Sequence, residues 1–391
     1  MKITLAFDFF KGSLTSHEVA EAFEEGLLSC IPACDICKVV IADGGEGTTE
    51  ALVESMHGVY VNVAVSDPLQ RTITARYGIV DNGNTAVIEM AKASGLPLLA
   101  HSERNPLMTT TYGTGQMILD AIDRGCRNFL IGIGGSATND GGMGMLSALG
   151  YRFLDKESNP LPGIGKMLAH VASIDDTLLH PTVKECTFRV ACDVTNPLYG
   201  ENGAAYIFAP QKGADATMVA ELDNGLRNYA QVITQYNGYR IDTLPGAGAA
   251  GGIGFALMAY CKARFSAGID IILNVSIQMV LETIKFDQLI ANSTLVVTGE
   301  GCIDYQTVMG KAPGGVLQAA SQQNIPVAAI GGKVKWCDEL CNSNYAAIIP
   351  ITPDDMPLVE AMKPDIAREN VRKAAIHIAQ LFNLQHNNTL K

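Results

Sequence analysis

Five apolar segments of this chain stop at an acid or a pair of glycines: at Asp8, Asp43, Gly134-Gly135, Asp193 and Glu300. Apolar strands that end this way, with helices between them, constrain the fold more than any other feature. Parallel strands need crossover connections, and their carboxyl ends line the ligand crevice of an open sheet. The opening reads as β-α-β-α. Ile3 to Asp8 is an apolar strand. Thr15 and Glu18 have capping-box spacing before a helix whose Val19, Phe23 and Leu27 recur every fourth residue. Lys38 to Ala42 is a second strand, running into Asp43 and GGEGT, with a helix from near Thr48.

The period then changes. Val61, Val63 and Val65 alternate, as do Ile73, Ala75, Tyr77 and Ile79, and a turn at 81–84 leads to Ala86-Val87-Ile88-Glu89. That is a meander of antiparallel or mixed strands. Asn128 to Ile133 and Phe188 to Cys192 are further strands. Near the end the parallel rhythm returns at Thr294 to Thr298, Val327 to Ile330 and Ala346 to Ile349. The loop at Gly299-Glu300-Gly301 follows the first of these. A last amphipathic helix spans Asp365 to Phe382. At 391 residues the chain exceeds one typical core. The fold class expected is α/β with two domains. Residues 1–65 plus 284–391 form a discontinuous, doubly wound parallel-sheet domain, and residues 66–283 an inserted mixed-sheet α/β domain.

Net charge is −12 and no Lys/Arg run stands out, so a nucleic-acid binder is not expected. No segment approaches about 18 uncharged apolar residues. The first residues, broken by Asp8 and Lys11, do not make a signal-peptide core. A cytoplasmic location and no membrane partner follow as expectations. Cys30, Cys34 and Cys37 have the C-x3-C-x2-C spacing that can hold a [4Fe–4S] cluster in radical enzymes. Cys30 nevertheless ends a helical pattern and Cys37 opens a strand, whereas a cluster needs its thiolates to converge from one loop. The seven histidines are scattered and none pairs at metal-ligand spacing.

Glycines at strand ends let backbone N–H groups approach phosphate oxygens, carboxylates there can hold Mg²⁺, and an Asp can deprotonate a substrate hydroxyl. Together they suggest metal-assisted phosphoryl transfer. No Walker A loop is present: Gly310-Lys311 is followed by Ala312. The protein-kinase signatures are absent too. Residue chemistry alone reaches an α/β enzyme that binds a phosphorylated or anionic ligand.

The ordered segments DFFKGSLTSHEVAEA (8–22), ADGGEGT (42–48), TTTYGTG (109–115), GIGGSATNDGG (132–142), ACDVTNPL (191–198), FAPQKGA (208–214), PGAGAAGGIG (245–254) and VVTGEGCID (296–304) resemble the bacterial glycerate kinase family from end to end. The resemblance implies ATP-dependent, Mg²⁺-assisted phosphorylation of D-glycerate, with 2-phosphoglycerate the usual product in sugar-acid and glyoxylate routes. It implies a flavodoxin-like domain and a second mixed-sheet domain, acting as a monomer or homodimer. One departure stands out. Where the family usually has Pro and Ser around the first Asp, this chain has Phe7 and Phe9. A radical enzyme on the three cysteines is one alternative. A non-catalytic sugar-acid-binding regulator is another.

Candidate roles follow. Lys11, beside Asp8 and with Ser13 retained, is expected to meet an anion; the plainer alternative is an Asp8–Lys11 surface pair. Asp193 is the expected general base or metal ligand, with Asp43 and Asp140 as competitors; the alternative is an Asx turn. Gly44 and Gly45 join Asp43 at a phosphate or substrate loop. Gly134, Gly135, Ser136, Thr138 and Asn139 form a phosphate or substrate cradle. Gly248 and Gly251 form either a second cradle or a close-packing device. Glu300 and Asp304 are the expected Mg²⁺ pair.

Overall fold

The computed structural model describes residues 1–41, 47–192, 194–263, 276–308 and 311–382. In chain order its strands are β1 (Lys2–Phe7), β2 (Asp35–Val40), β3 (Val59–Ser66), β4 (Thr72–Val80), β5 (Thr85–Glu89), β6 (Asn128–Gly132), β7 (Arg152–Leu154), β8 (Ser173–Asp175), β9 (Thr187–Ala191), β10 (Leu295–Ile303), β11 (Val327–Val334) and β12 (Ala347–Pro350). The described residues pack as two compact units. The first lies within Met1–Asp43, Glu50–Ser55 and Ile277–Lys391, the second within Gly44–Thr49 and Met56–Ser276.

The first unit holds a five-stranded sheet in the order β12-β11-β10-β1-β2, parallel throughout. Numbered within that sheet the order is 2-1-3-4-5, the doubly wound flavodoxin-like arrangement. Its topological switch point falls between β1 and β10. The capping box forms as the spacing predicts: Thr15 accepts from the Glu18 N–H, and Glu18 accepts from the Thr15 N–H. That fixes the start of helix Ser16–Cys30, which packs on helix Pro364–Leu381. Their apolar faces close one core with Ile3, Leu5, Phe7, Leu295, Val297, Ala328 and Ile330. Phe7 is fully buried and its ring lies 5.3 Å from that of Phe23. The departure from the family pattern at position 7 is therefore a core residue.

Sequence periodicity ends the tenth strand before Gly299 and predicts a loop there. Instead β10 continues through Glu300 to Ile303, in register with Gly331, Lys333 and Val334 of β11. β1 holds β10 as far as Gly299 and β11 holds it through Ile303, and this pairing overrides the turn preference of its glycines. Gly299 fits because its position admits no side chain: a Cβ there would lie 2.2 Å from the Ile330 carbonyl oxygen. Glu300 is consequently a strand residue.

The second unit holds a mixed sheet in the order β3-β4-β5-β6-β9. The first two pairings are antiparallel and the last two parallel. The alternating valines of β3 and the β4–β5 hairpin build the meander that the sequence predicts. The carboxyl ends of β5, β6 and β9 all point one way and carry Glu89, the 133–142 loop and the Cys192 segment. A large core of Val, Ile, Leu and aromatic side chains lies within this unit, including Phe129 stacked on Phe188 at 4.9 Å. Among the described residues no helix is long and apolar enough to cross a membrane.

Candidate active site

In the first unit, candidate residues gather at the switch point. The Asp8 N–H donates to the Gly299 carbonyl (3.0 Å), and the Asp8 carboxylate accepts from the Phe9 N–H (2.8 Å). Asp8 is buried, while Lys11 is exposed. The backbone at Phe10 and Lys11 crosses over Gly301; a Cβ there would lie 3.3 Å from the Lys11 nitrogen. The β1 loop thus runs alongside β10, one residue from Glu300. Ser13 turns its hydroxyl into the protein, where it has no hydrogen-bond partner.

Glu300 is buried and held by a relay. The Asp304 N–H donates to Thr307 Oγ1 (3.0 Å), Thr307 Oγ1 donates to Glu300 Oε1 (2.5 Å), and Lys311 Nζ donates to Glu300 Oε2 (3.3 Å). Burial pushes the Glu300 carboxyl pKa up, against the pull of Thr307 and Lys311. Lys311 is the N-cap of helix Ala312–Gln322, with a proline in its first turn. That places an ammonium beside a helix start, where backbone N–H groups also favour an anion. Asp304 accepts from the Gln306 N–H through one oxygen (3.0 Å).

In the second unit the 133–142 loop is organised by Asp140. Its carboxylate is fully buried and accepts from the Thr111 N–H and hydroxyl (both 2.8 Å), the Gly142 N–H (3.1 Å) and the Gly144 N–H (3.1 Å). Burial pushes its pKa up, and these donors oppose that. The arrangement makes Asp140 an anchor for the turn, with its acceptors directed inward. Thr138 and Asn139 are also fully buried, and the Thr138 hydroxyl and both side-chain atoms of Asn139 lack partners. Gly134 and Gly135 are exposed, and Ser136 beside them is 8% exposed.

The other glycine loop packs directly against this one. Gly251 (φ +70°) comes so close that a Cβ would lie 2.1 Å from the Thr138 carbonyl oxygen, and its own carbonyl accepts from the Gly141 N–H (3.0 Å). Gly248 approaches Pro197 as closely, at 2.2 Å, and its N–H donates to the Asn196 carbonyl (2.9 Å). Close packing therefore accounts for both glycines. Three separated motifs, GGSATNDGG, VTNPL and GAGAAGG, thereby form one assembly. Asp43, Gly44, Gly45 and Asp193 lie outside the described residues.

Some site groups are not singled out by the sequence reading. Glu89 ends β5, accepts from the Thr49 N–H (2.8 Å) and pairs with Lys92 (3.5 Å). The rule that finds Asp8 and Glu300, an acid after an apolar run, also finds Glu89. Lys212, in the FAPQKGA segment, is buried and donates to Ser136 Oγ (2.6 Å) and the Thr138 carbonyl (2.6 Å). Its signal is faint: one lysine between a short apolar run and a glycine. For Lys311 the signal is a cation directly before a proline-containing helix start.

The cysteine trio does not resemble a cluster site. Cys30 ends a helix, Cys37 is paired with Thr4 inside β2, and burial pushes the Cys34 thiol pKa up, against ligation as a thiolate. Among the described residues no group of three or more His, Cys, Asp or Glu is placed to hold a metal.

The family model for the glycerate kinase family matches residues 3–383. A "Glycerate 2-kinase" from Escherichia coli K12 is 46% identical over 334 residues, covering 85% of this chain and 86% of that protein. A "Glycerate kinase" from Bacillus cereus is 42% identical over 392 residues, covering 98% of each. A crystal structure from Salmonella typhimurium LT2, assigned as a glycerate kinase 2, superposes with a TM-score of 0.88 at 41% identity, covering 99% of both chains. The flavodoxin-like order, the strand-end loops and the full-length match agree: this chain belongs to the glycerate kinase family.

Proposed function

We propose that this enzyme transfers the γ-phosphoryl group of ATP to D-glycerate, with the 2-hydroxyl as acceptor. The observation that carries this reading is that the motifs shared with the family sit at the carboxyl ends of parallel strands in both units. Each unit presents a set suited to an anion: Lys11, Lys311 and a helix N-terminus in one, the Gly134–Ser136 loop over Lys212 in the other. Two anionic substrates need two such sets. The identity to the Escherichia coli glycerate 2-kinase supports the 2-position. A cytoplasmic setting, where ATP is regenerated, belongs to the same reading.

Phosphoryl transfer rests on positioning and charge neutralisation. Lys311 is suited to neutralising a phosphate oxygen, with Glu300 and Thr307 holding it in place. Magnesium carried on nucleotide phosphates needs only one or two carboxylates. Asp304 can supply an oxygen, whereas both oxygens of Glu300 already accept from protein donors. When bound, the metal would neutralise charge on the β- and γ-phosphates. Excess chelator is expected to abolish turnover; full activity in chelator would remove the metal from the account.

Asp193 is proposed as the base for the acceptor hydroxyl, on its place in the CDVTNPL segment. Asp193→Asn should lower kcat by about 10²- to 10⁴-fold, the usual contribution of a general base. Near-normal turnover would leave Asp193 a turn residue. The product itself is read by proton-coupled phosphorus NMR. A 2-phosphate, bonded through a carbon with one hydrogen, gives a doublet; a 3-phosphate gives a triplet and would contradict the regiochemistry.

A further inference from the structure

A buried cation underlies the Gly134–Ser136 loop of the second unit. Lys212 is 1% exposed, on a short 3-10 turn (Pro210–Lys212). Its ammonium donates to two neutral acceptors, Ser136 Oγ and the Thr138 carbonyl. Among the described residues no carboxylate pairs with it directly. Among the described residues Asp140 is the one charged group whose field reaches it, and Asp140 already accepts from four other donors. A buried ammonium so placed is costly unless an anion completes its surroundings.

The hydrogen-bond directions say where that anion would sit. An ammonium has only donors, so Ser136 Oγ must accept from Lys212 and its own proton must point elsewhere. Ser136 retains a small exposed face and adjoins the exposed Gly134 and Gly135. The backbone behind it is fixed: Ser136 bridges to Gly95, the Ala137 N–H donates to the Ser94 carbonyl, and the Thr109 hydroxyl donates to the Ala137 carbonyl (3.0 Å).

We propose that Lys212 is a positioning residue whose buried ammonium locks the Ser136 hydroxyl as a donor to an anionic oxygen bound at Gly134–Ser136. The oxygen belongs to the glycerate carboxylate or to a nucleotide phosphate. The proposal rests on the kinase reading for the identity of those anions, but not for the existence of the anion site. Burial lowers the Lys212 pKa to about 7 without ligand, with Asp140 opposing. A bound anion favours the protonated form, so its affinity is greatest below pH about 7 and falls as the pH rises above it.

The test uses the full-length enzyme and two variants, Lys212→Met and Ser136→Ala. For each, KM is expected to rise for one anionic substrate on the order of tenfold to a hundredfold, the worth of one hydrogen bond to a charged group. The kcat should change much less. A rise for glycerate assigns the carboxylate; a rise for ATP assigns a phosphate. That KM should climb with pH above about 7 in the native enzyme and stay flat in Lys212→Met. If Lys212→Met lowers Tm while both KM values and their pH profiles match the native enzyme, the lysine is structural and the proposal fails. If Lys212→Met does not fold, Ser136→Ala, which keeps the cation, decides: unchanged KM values for both substrates overturn it. Calorimetric titration with D-glycerate and with ATP separately reads the same affinities without turnover. An enzyme inactive on glycerate would thus sink the kinase reading while leaving the anion site testable.

Discussion

Lys311→Met is expected to lower kcat by about 10²- to 10³-fold, the size of effect seen when one preorganised charge stabiliser is removed. Lys311 Nζ is fixed by Glu300, which is fixed in turn by Thr307, and Thr307 by the Asp304 N–H. The cation proposed to neutralise a phosphate oxygen is therefore already oriented, at a helix start whose N–H groups favour an anion. The substitution keeps most of the volume, and Lys311 is partly exposed, so the fold should persist. Circular dichroism and Tm check that. A variant with native Tm and native kcat would show that Lys311 serves only to satisfy Glu300. Thr307→Val should act more weakly and in the same direction, because it loosens Glu300 without removing the charge.

The second large effect concerns stability. Asp140→Asn should destabilise the protein by about 3 kcal/mol or more, because it sets an amide N–H₂ against donors that need an acceptor. The Thr111, Gly142 and Gly144 N–H groups all converge on this carboxylate inside the protein. For a cooperative unit of this size that corresponds to a Tm lowered by about 6–12 °C. Thermal unfolding followed by circular dichroism measures it. A Tm within about a degree of native would mean that the loop is held by its glycine contacts alone.

Asp140 also shows where sequence reasoning ends. An acid flanked by glycines at a strand end has the composition of a ligand site. Whether its oxygens face out or in depends on Thr111, Gly142 and Gly144, and Thr111 lies far away in the chain. The capping box at Thr15 and Glu18 was legible because all of its partners lie within four residues. The meander was legible because period-two alternation needs only local sequence. The continuation of β10 through Gly299, Glu300 and Gly301 was not, because β1 holds it only as far as Gly299 and the distant strand β11, which carries it on to Ile303, outweighs local turn preference. Lys212 was hidden for the same reason: its acceptors lie about 75 residues earlier, and one lysine in a polar-looking segment carries no sign of burial. Of the two departures from the family pattern, Phe7 is a core contact with Phe23, while Phe9 is the residue left at the loop beside Asp8.

Family membership and strand-end geometry define a phosphotransferase, and the acceptor is the claim on which the rest depends. The direct measurement is ADP release by the purified protein with ATP, Mg²⁺ and D-glycerate, compared with tartronate and lactate as acceptors. Saturable ADP release with D-glycerate, matched by phosphoglycerate formed, is the predicted result. ADP release no greater with D-glycerate than with ATP alone would contradict the account and leave a sugar-acid-binding protein without catalysis.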